Sequence, residues 1–285
     1  MTAPAGRDMS ELRSLITLLD DEDGEVYAAA RTRLLSYREA VLPYLPASDD
    51  RRTLAAQRGA EIRETILRTI FKPLFRTMKR TASGDVDLEE GMFLIGRTRY
   101  ADLDAARLTE ELNTYAKELK EGLSTVSDPT EFLRRTIDFF VSDKGFTGNH
   151  ADYYNEQNHY LNRVLETRRG IPITLSAVYL LVGKRIDLPL RGIGLPGHFI
   201  LRMSFGTTHV YFDPFNEGAV LSYDECREMV TGLGFTFDDG YLEPVTNAQI
   251  IERMLRNIII SLERQDEKER VETIRQFIDS LSSNV

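Results

Sequence analysis

One cysteine stands in 285 residues, so the chain holds no internal disulfide and cannot build a Cys-rich zinc site. Basic residues are the minority. The 36 Lys and Arg against 45 Asp and Glu leave a formal charge of −9, and a pI near 5.2 argues against a dedicated nucleic-acid binder, which carries a basic domain or stripe. No apolar run approaches the roughly 20 residues that cross a bilayer, and Met1 to Asp8 shows no signal-peptide core. Low-complexity tracts and long flexible linkers are missing too. These absences set the expectations: no membrane, no nucleic acid, and a reducing, cytoplasmic compartment. What is present, 42% hydrophobic and 28% charged residues, suits a folded chain of one large or two ordinary domains.

The first half reads as helices. Ser10 can cap a segment whose apolar residues Leu12, Leu15, Ile16 and Leu19 recur at helical spacing. After the acidic turn Asp20 to Gly24, a second helix carries Val26, Ala30 and Leu34 on one face and ends before the Pro43 and Pro46 loop. A longer pattern from about Arg52 to Lys79 should kink or stop at Pro73, where the ring removes a hydrogen bond. Leu88 to Gly96, Ala105 to Leu123 and Pro129 to Phe140 continue the helical reading. The Lys/Glu run in Tyr115 to Glu121 reads as a solvated helix face laced with opposite charges.

The texture changes near Lys144. Gly145, Gly148 and Asn149 break the pattern, and a helix with Leu161, Val164 and Leu165 inward should stop at Gly170. Pro172 suits the first turn of a new helix, running to about Arg185 and apolar on most sides, hence central and buried. Strands follow near Leu190 to Leu195, His198 to Ser204 and Thr207 to Asp213. Ser222 with Glu225 forms a capping box for another helix, and two amphipathic helices, about Asn247 to Glu263 and Glu267 to Leu281, complete the pattern. The division expected is a helical region over 1–144, a central domain over 145–240 and a helical pair over 241–285.

The hairpin carries the chemistry. A Phe205-Gly206 loop pairs Ser204 with Thr207, Arg202 with His209, Ile200 with Tyr211 and His198 with Asp213. Strand alternation then puts Phe199, Leu201, Met203, Val210 and Phe212 on a core face, and His198 and Asp213 together on the other. A carboxylate orienting an imidazole is the base half of a nucleophilic triad, or else an ion pair that pins two strands. A one-residue slip in register would remove the pair.

At these residues a family comes into view. Tyr153-Tyr154-Asn155, Asn158, Leu161-Asn162, Arg168-Arg169-Gly170-Ile171-Pro172-Ile173-Thr174-Leu175-Ser176, then Gly194-Leu195-Pro196-Gly197-His198-Phe199, then Asp213-Pro214-Phe215-Asn216 resemble the bacterial SirB-type transglutaminase-like family. Related domains occur in some eukaryotic F-box proteins. Milder resemblance runs from Leu18-Leu19-Asp20-Asp21 to Arg253-Met254-Leu255-Arg256-Asn257. The resemblance implies an α+β fold with a papain-like, transglutaminase-like core: a helix packed on a small antiparallel sheet, an all-helical N-terminal region and a helical, tetratricopeptide-like tail. It also implies a cysteine at the helix start with His and Asp on adjacent strands. His198 and Asp213 match the last two. In the family the nucleophile sits in a Gly-x-Cys turn, where the helix dipole helps hold a thiolate. The turn here reads Gly170-Ile171-Pro172, and proline has no nucleophile.

Three substitutes are in the sequence. Thr174 points away from position 172, and Ser176 lies on nearly the same helix face one turn deeper; either hydroxyl can instead bond a carbonyl within the helix. Cys226 lies in another helix and reads as a small buried hydrophobe. His150, Asp152 and His159 cluster in sequence, and His198 and His209 could approach, but no tight ligand spacing is present, so no metal and no cofactor are expected. The reading is therefore a non-catalytic transglutaminase-like protein whose cleft, with Tyr154, Asn155, Asn158, Pro172, Ser176 and Asn216 around His198 and Asp213, binds a peptide, protein or small ligand. The alternatives are a hydrolase or other enzyme using His198 and Asp213 alone, and a scaffold made by the helical ends.

Overall fold

The structure, a computed structural model, describes residues 6–46, 53–78 and 80–282. Spatial contact divides the chain into two compact units. One gathers Met1–Met78, Leu94–Leu103 and Leu262–Val285; the other gathers Lys79–Phe93 and Asp104–Ser261. The boundaries near 144 and 240 follow a change in sequence texture, whereas these units follow packing.

In the first unit α1 (Gly6–Thr17) and α2 (Gly24–Ser36) flank the acidic turn, and Asp23 caps α2 by accepting from the Glu25 amide at 2.8 Å. α1 begins upstream of Ser10, which is therefore inside the helix and not its cap. α3 (Leu54–Ile66) passes through a wide π-type turn, Leu67–Phe71, into α4 (Lys72–Arg76). This is the form the expected break at Pro73 takes: the ring has no N–H to return to the preceding turn, and the hydrogen-bond ladder widens there. The outer limits expected for this run, Arg52 and Lys79, lie outside the described residues.

α5 (Leu88–Arg99), α6 (Ala105–Leu123) and α7 (Pro129–Asp138) follow, with Asp104 and Asp128 capping the last two. Then two short strands, β1 (Thr147–Gly148) and β2 (Arg169–Gly170), pair in parallel around α8 (Leu161–Thr167). α8 stops before the glycine expected to end it. Arg168 takes the left-handed conformation, φ 62°, held by Glu111 at 3.0 Å and by stacking over Tyr115 and Phe146. Gly170 serves another purpose, because a Cβ there would lie 2.8 Å from Thr174 Oγ1.

α9 (Pro172–Arg185) is the centre of the second unit, buried continuously from Pro172 to Tyr179. Its ring Tyr179 stacks on Phe140 at 3.7 Å and meets Phe212 at 5.9 Å. Against it lies an antiparallel sheet in the order β3 (Leu190–Ile193), β4 (Ile200–Phe205), β5 (Thr208–Asp213), β6 (Ala219–Leu221). α10 (Tyr223–Thr231) opens with the Ser222/Glu225 capping box, and α11 (Asn247–Arg264) follows. α12 (Lys268–Ser282) belongs to the first unit, where Phe277 stacks on Phe75 at 4.8 Å and the Thr273 hydroxyl donates to the buried Glu64 carboxylate. Among the described residues no helix is long and apolar enough to cross a membrane.

The hairpin register differs from the sequence reading. The loop is Gly206-Thr207, so Phe205 pairs with Thr208, Ser204 with His209 and Arg202 with Tyr211. Gly206 has φ +61°, and the favoured two-residue turns require positive φ at their first central position, which puts glycine there and not second. Each partner thus moves by two residues. A two-residue shift conserves faces, whereas a single-residue one would exchange them.

Gly148 ties β1 to the end of β5, since a Cβ there would stand 2.4 Å from the Phe215 carbonyl oxygen and 2.7 Å from its ring. Gly148→Ala should destabilise the fold by about 1–3 kcal/mol through overpacking. Urea denaturation of the variant and the parent measures this, and equal stability would mean that the contact relaxes freely.

Candidate functional site

The start of α9 is shaped by one hydroxyl. Thr174 Oγ1 accepts from the Ile171 amide at 3.1 Å and lies 2.8 Å from the Asn158 carbonyl, to which it donates. Proline at the first helical position removes one of the amides that would otherwise lack a partner there. Thr174 is thus committed to holding the turn, and Pro172 is set against the space in front of the helix.

That space is bounded by the turn before β4, where His198 Nε2 and Asp213 Oδ2 are 2.7 Å apart. The two are not directly opposed: Asp213 ends β5 and His198 precedes β4, so they meet as diagonal neighbours on one sheet face. Asp213 is 1% exposed. Its Oδ1 accepts from the Phe215 and Asn216 amides at 2.9 and 3.4 Å, and its Oδ2 also accepts from Asn216 Nδ2 at 2.6 Å. Burial pushes its pKa up, but hydrogen bonds from His198, Asn216 and Phe215 outweigh this and hold the carboxyl below its usual range. With Nε2–H donated to the carboxylate, Nδ1 becomes the basic nitrogen of His198. This arrangement can accept a proton.

His198 lines a cleft of about 650 Å³ together with Pro172, Tyr153, Tyr154, His159, Phe199 and one side of α11. Pro172, Tyr154 and His198 therefore share one cavity. Asn155 and Asn158 do not line it. Asn155 caps the turn Glu156–His159 through the Gln157 amide at 2.9 Å, and buried Asn158 bonds Asn149 and the Asp152 and Tyr153 carbonyls. A polar loop over a buried helix must satisfy its backbone, and these amides do so. Asn216 supports Asp213 from outside the cleft, and Ser176 Oγ is sealed within α9 without a hydrogen bond.

Cys226 is fully buried among Ile193, Leu195, Ile200 and Val230, and burial raises its thiol pKa to about 11. It cannot serve as a thiolate at this site. His150 stacks on Phe215, and His209 bonds Ser204 on the exposed hairpin. Among the described residues no three His, Cys, Asp or Glu side chains come together to hold a metal ion.

Several cleft residues lie outside the set the sequence places around His198 and Asp213. Tyr153 lies against Phe215; His159, buried and driven to a pKa of about 4 by desolvation, bonds Ser261 at 2.8 Å; and Arg253 Nη2 donates to the His198 carbonyl at 2.7 Å. Gln249, Arg253 and Arg256 recur at helical spacing in α11. That periodicity marks a polar stripe, though it cannot say that the stripe faces a cleft and not bulk water.

Residues 106–256, more than half of the chain, match the pattern of the Transglutaminase-like superfamily. The chain belongs to this superfamily. It is similar to a UPF0162 protein of Xylella fastidiosa (strain 9a5c), 31% identical over 66% of this chain and 69% of that protein. It is 28% identical to the UPF0162 protein YchA of Escherichia coli (strain K12), over 63% of this chain and 68% of the relative. F-box only protein 21 of Mus musculus is 33% identical over 47% of this chain, a match that covers 22% of the mouse protein. No solved structure matches. The transglutaminase-like match includes the start of α9, the His198 turn, Asp213 and the Arg253 side of α11.

Asp213 stabilises the transglutaminase-like domain through its charge. Because its folded pKa lies below the unfolded value, that contribution is present above about pH 4 and is lost as pH falls through the folded value. Asp213→Ala should cost about 3 kcal/mol at pH 7, since it strands His198 and the buried Phe215 amide. The gap to the parent should narrow on moving to pH 3 in urea titrations. A pH-independent gap would assign the loss to packing.

Proposed function

We propose that this chain is a non-catalytic transglutaminase-like module of the SirB type, whose former active-site cleft binds a peptide, a protein segment or a small ligand. The observation that carries this reading is Pro172 at the start of α9, in the wall of the cleft that also holds His198. By resemblance this is the position of the nucleophilic thiol. Pyrrolidine offers no lone pair for acyl transfer, and the chain's cysteine is buried elsewhere. A base, its orienting carboxylate and an open cleft thus remain around a missing nucleophile.

A second reading, a hydrolase or other enzyme that uses His198 and Asp213 on water or substrate, is favoured by the hydrogen bond of 2.7 Å and by a His198 side chain 16% exposed in the cleft. General-base chemistry needs no protein nucleophile.

The test restores the thiol. Pro172→Cys should place it at a helix N-terminus beside His198, and both influences lower a thiol pKa below the free value of about 8.5. The lost proline should cost roughly 0.4–1 kcal/mol. In a Cys226→Ala background, preferred because a serine hydroxyl would be buried in an apolar cluster, the new thiol should alkylate faster at pH 6–7 than an exposed control cysteine. His198→Ala should slow it. A thiol of ordinary reactivity, indifferent to His198, would mean that the helix start and the hairpin do not form one site. The unaltered chain should show no thiol-dependent amine incorporation or peptide cleavage. Activity abolished by Cys226→Ala would overturn the non-catalytic reading.

A further inference from the structure

Arg253 is the cation of this cleft that its surroundings do not neutralise. It projects from α11 over Gly194, where a Cβ would meet Nη1 at 3.4 Å, and its guanidinium lies 5.7 Å from the Phe199 ring centroid. Nη2 donates to the His198 carbonyl. Among the described residues no carboxylate pairs with it, and burial lowers its pKa, with the Tyr153 hydroxyl opposing this. Arg256, on the same side of the helix, is instead tied to Glu252 at 2.7 Å. Arg253 is half-buried and lines the cleft. A half-buried guanidinium without a counter-ion is costly to hold unless something else supplies the charge.

We propose that the cleft seats the carboxylate of a ligand on Arg253, beside His198, with the ligand's apolar body lying along α11 toward Ile260. Arg256 and Glu252 cancel, and Asp213 is covered by His198 outside the cleft wall, so the charge presented to a ligand is that of Arg253, which suits a monoanion better than a phosphate dianion. The planar guanidinium also matches a carboxylate in a bidentate fork. Tyr154 and Ile260, 46% and 45% exposed, both line the cleft and offer an apolar surface. From Arg253 to Ser261 the helix rises about 12 Å, room for about three extended residues. A polypeptide C-terminus and a free apolar carboxylic acid share this chemistry. The inference rests on the cleft being a binding site.

The experiment titrates the full chain with phenylpropionate, its amide and inorganic phosphate, and with alanyl-alanyl-phenylalanine carrying a free or an amidated C-terminus, followed by calorimetry and amide-resolved NMR. Each acid should bind about tenfold or more tightly than its amide, with shifts at His198 and along α11. Arg253→Gln should abolish that preference and Arg253→Lys should keep part of it. A tighter tripeptide acid assigns the site to polypeptide C-termini and a tighter phenylpropionate to small acids; both support the proposal. Acid and amide binding equally would overturn the carboxylate while leaving the cleft a binding site. Binding of neither overturns both, and phosphate binding tighter than either acid overturns the choice of anion. If Arg253→Gln does not fold, the acid-to-amide ratio in the unaltered chain still decides.

Discussion

A buried carboxylate is the constraint on which the site depends. Asp213 is almost wholly removed from water and remains ionised because His198, Asn216 and two backbone amides converge on its oxygens. One side chain thereby ends β5, caps the turn that follows and fixes the imidazole facing the cleft. Phe215, placed by that turn, in turn meets His150, Tyr153 and His198. Such a group is expensive to bury alone, so its partners are constrained together.

The second constraint is α9. A helix apolar around most of its circumference must lie inside, and its N-terminus then opens into the domain beside the sheet. In transglutaminase-like proteins that terminus stabilises a thiolate; here proline occupies it, and the dipole has no ionisable side chain to act on. Arg253 supplies a positive charge to the same cleft from another element.

Much of this was legible before folding was considered. α6 and α9 run over the spans their periodicity marks, and the Ser222 box opens α10. The hairpin was legible only in part. Alternation assigned the faces, but the glycine's place within the turn was decided by its positive φ, which moved every pair by two residues and left the faces unchanged. That is why His198 and Asp213 meet even though the pairing that suggested them does not occur. The asparagines misled for a different reason: an amide that caps a turn and one that lines a cleft look alike in a sequence.

Local chemistry sets the starts of α9 and α10 and which strand faces are apolar. Each follows from chemistry within a few residues of its position. Tertiary structure decided the rest. It brought Arg253 and Ser261 from α11 to His198 and His159, buried Cys226, committed Asn155 and Asn158 to holding turns, and spanned the two-residue offset in the hairpin with a diagonal hydrogen bond. The reason is physical. Burial and charge pairing are properties of neighbours in space, and residues 55 positions apart, such as His198 and Arg253, become neighbours only when the core closes.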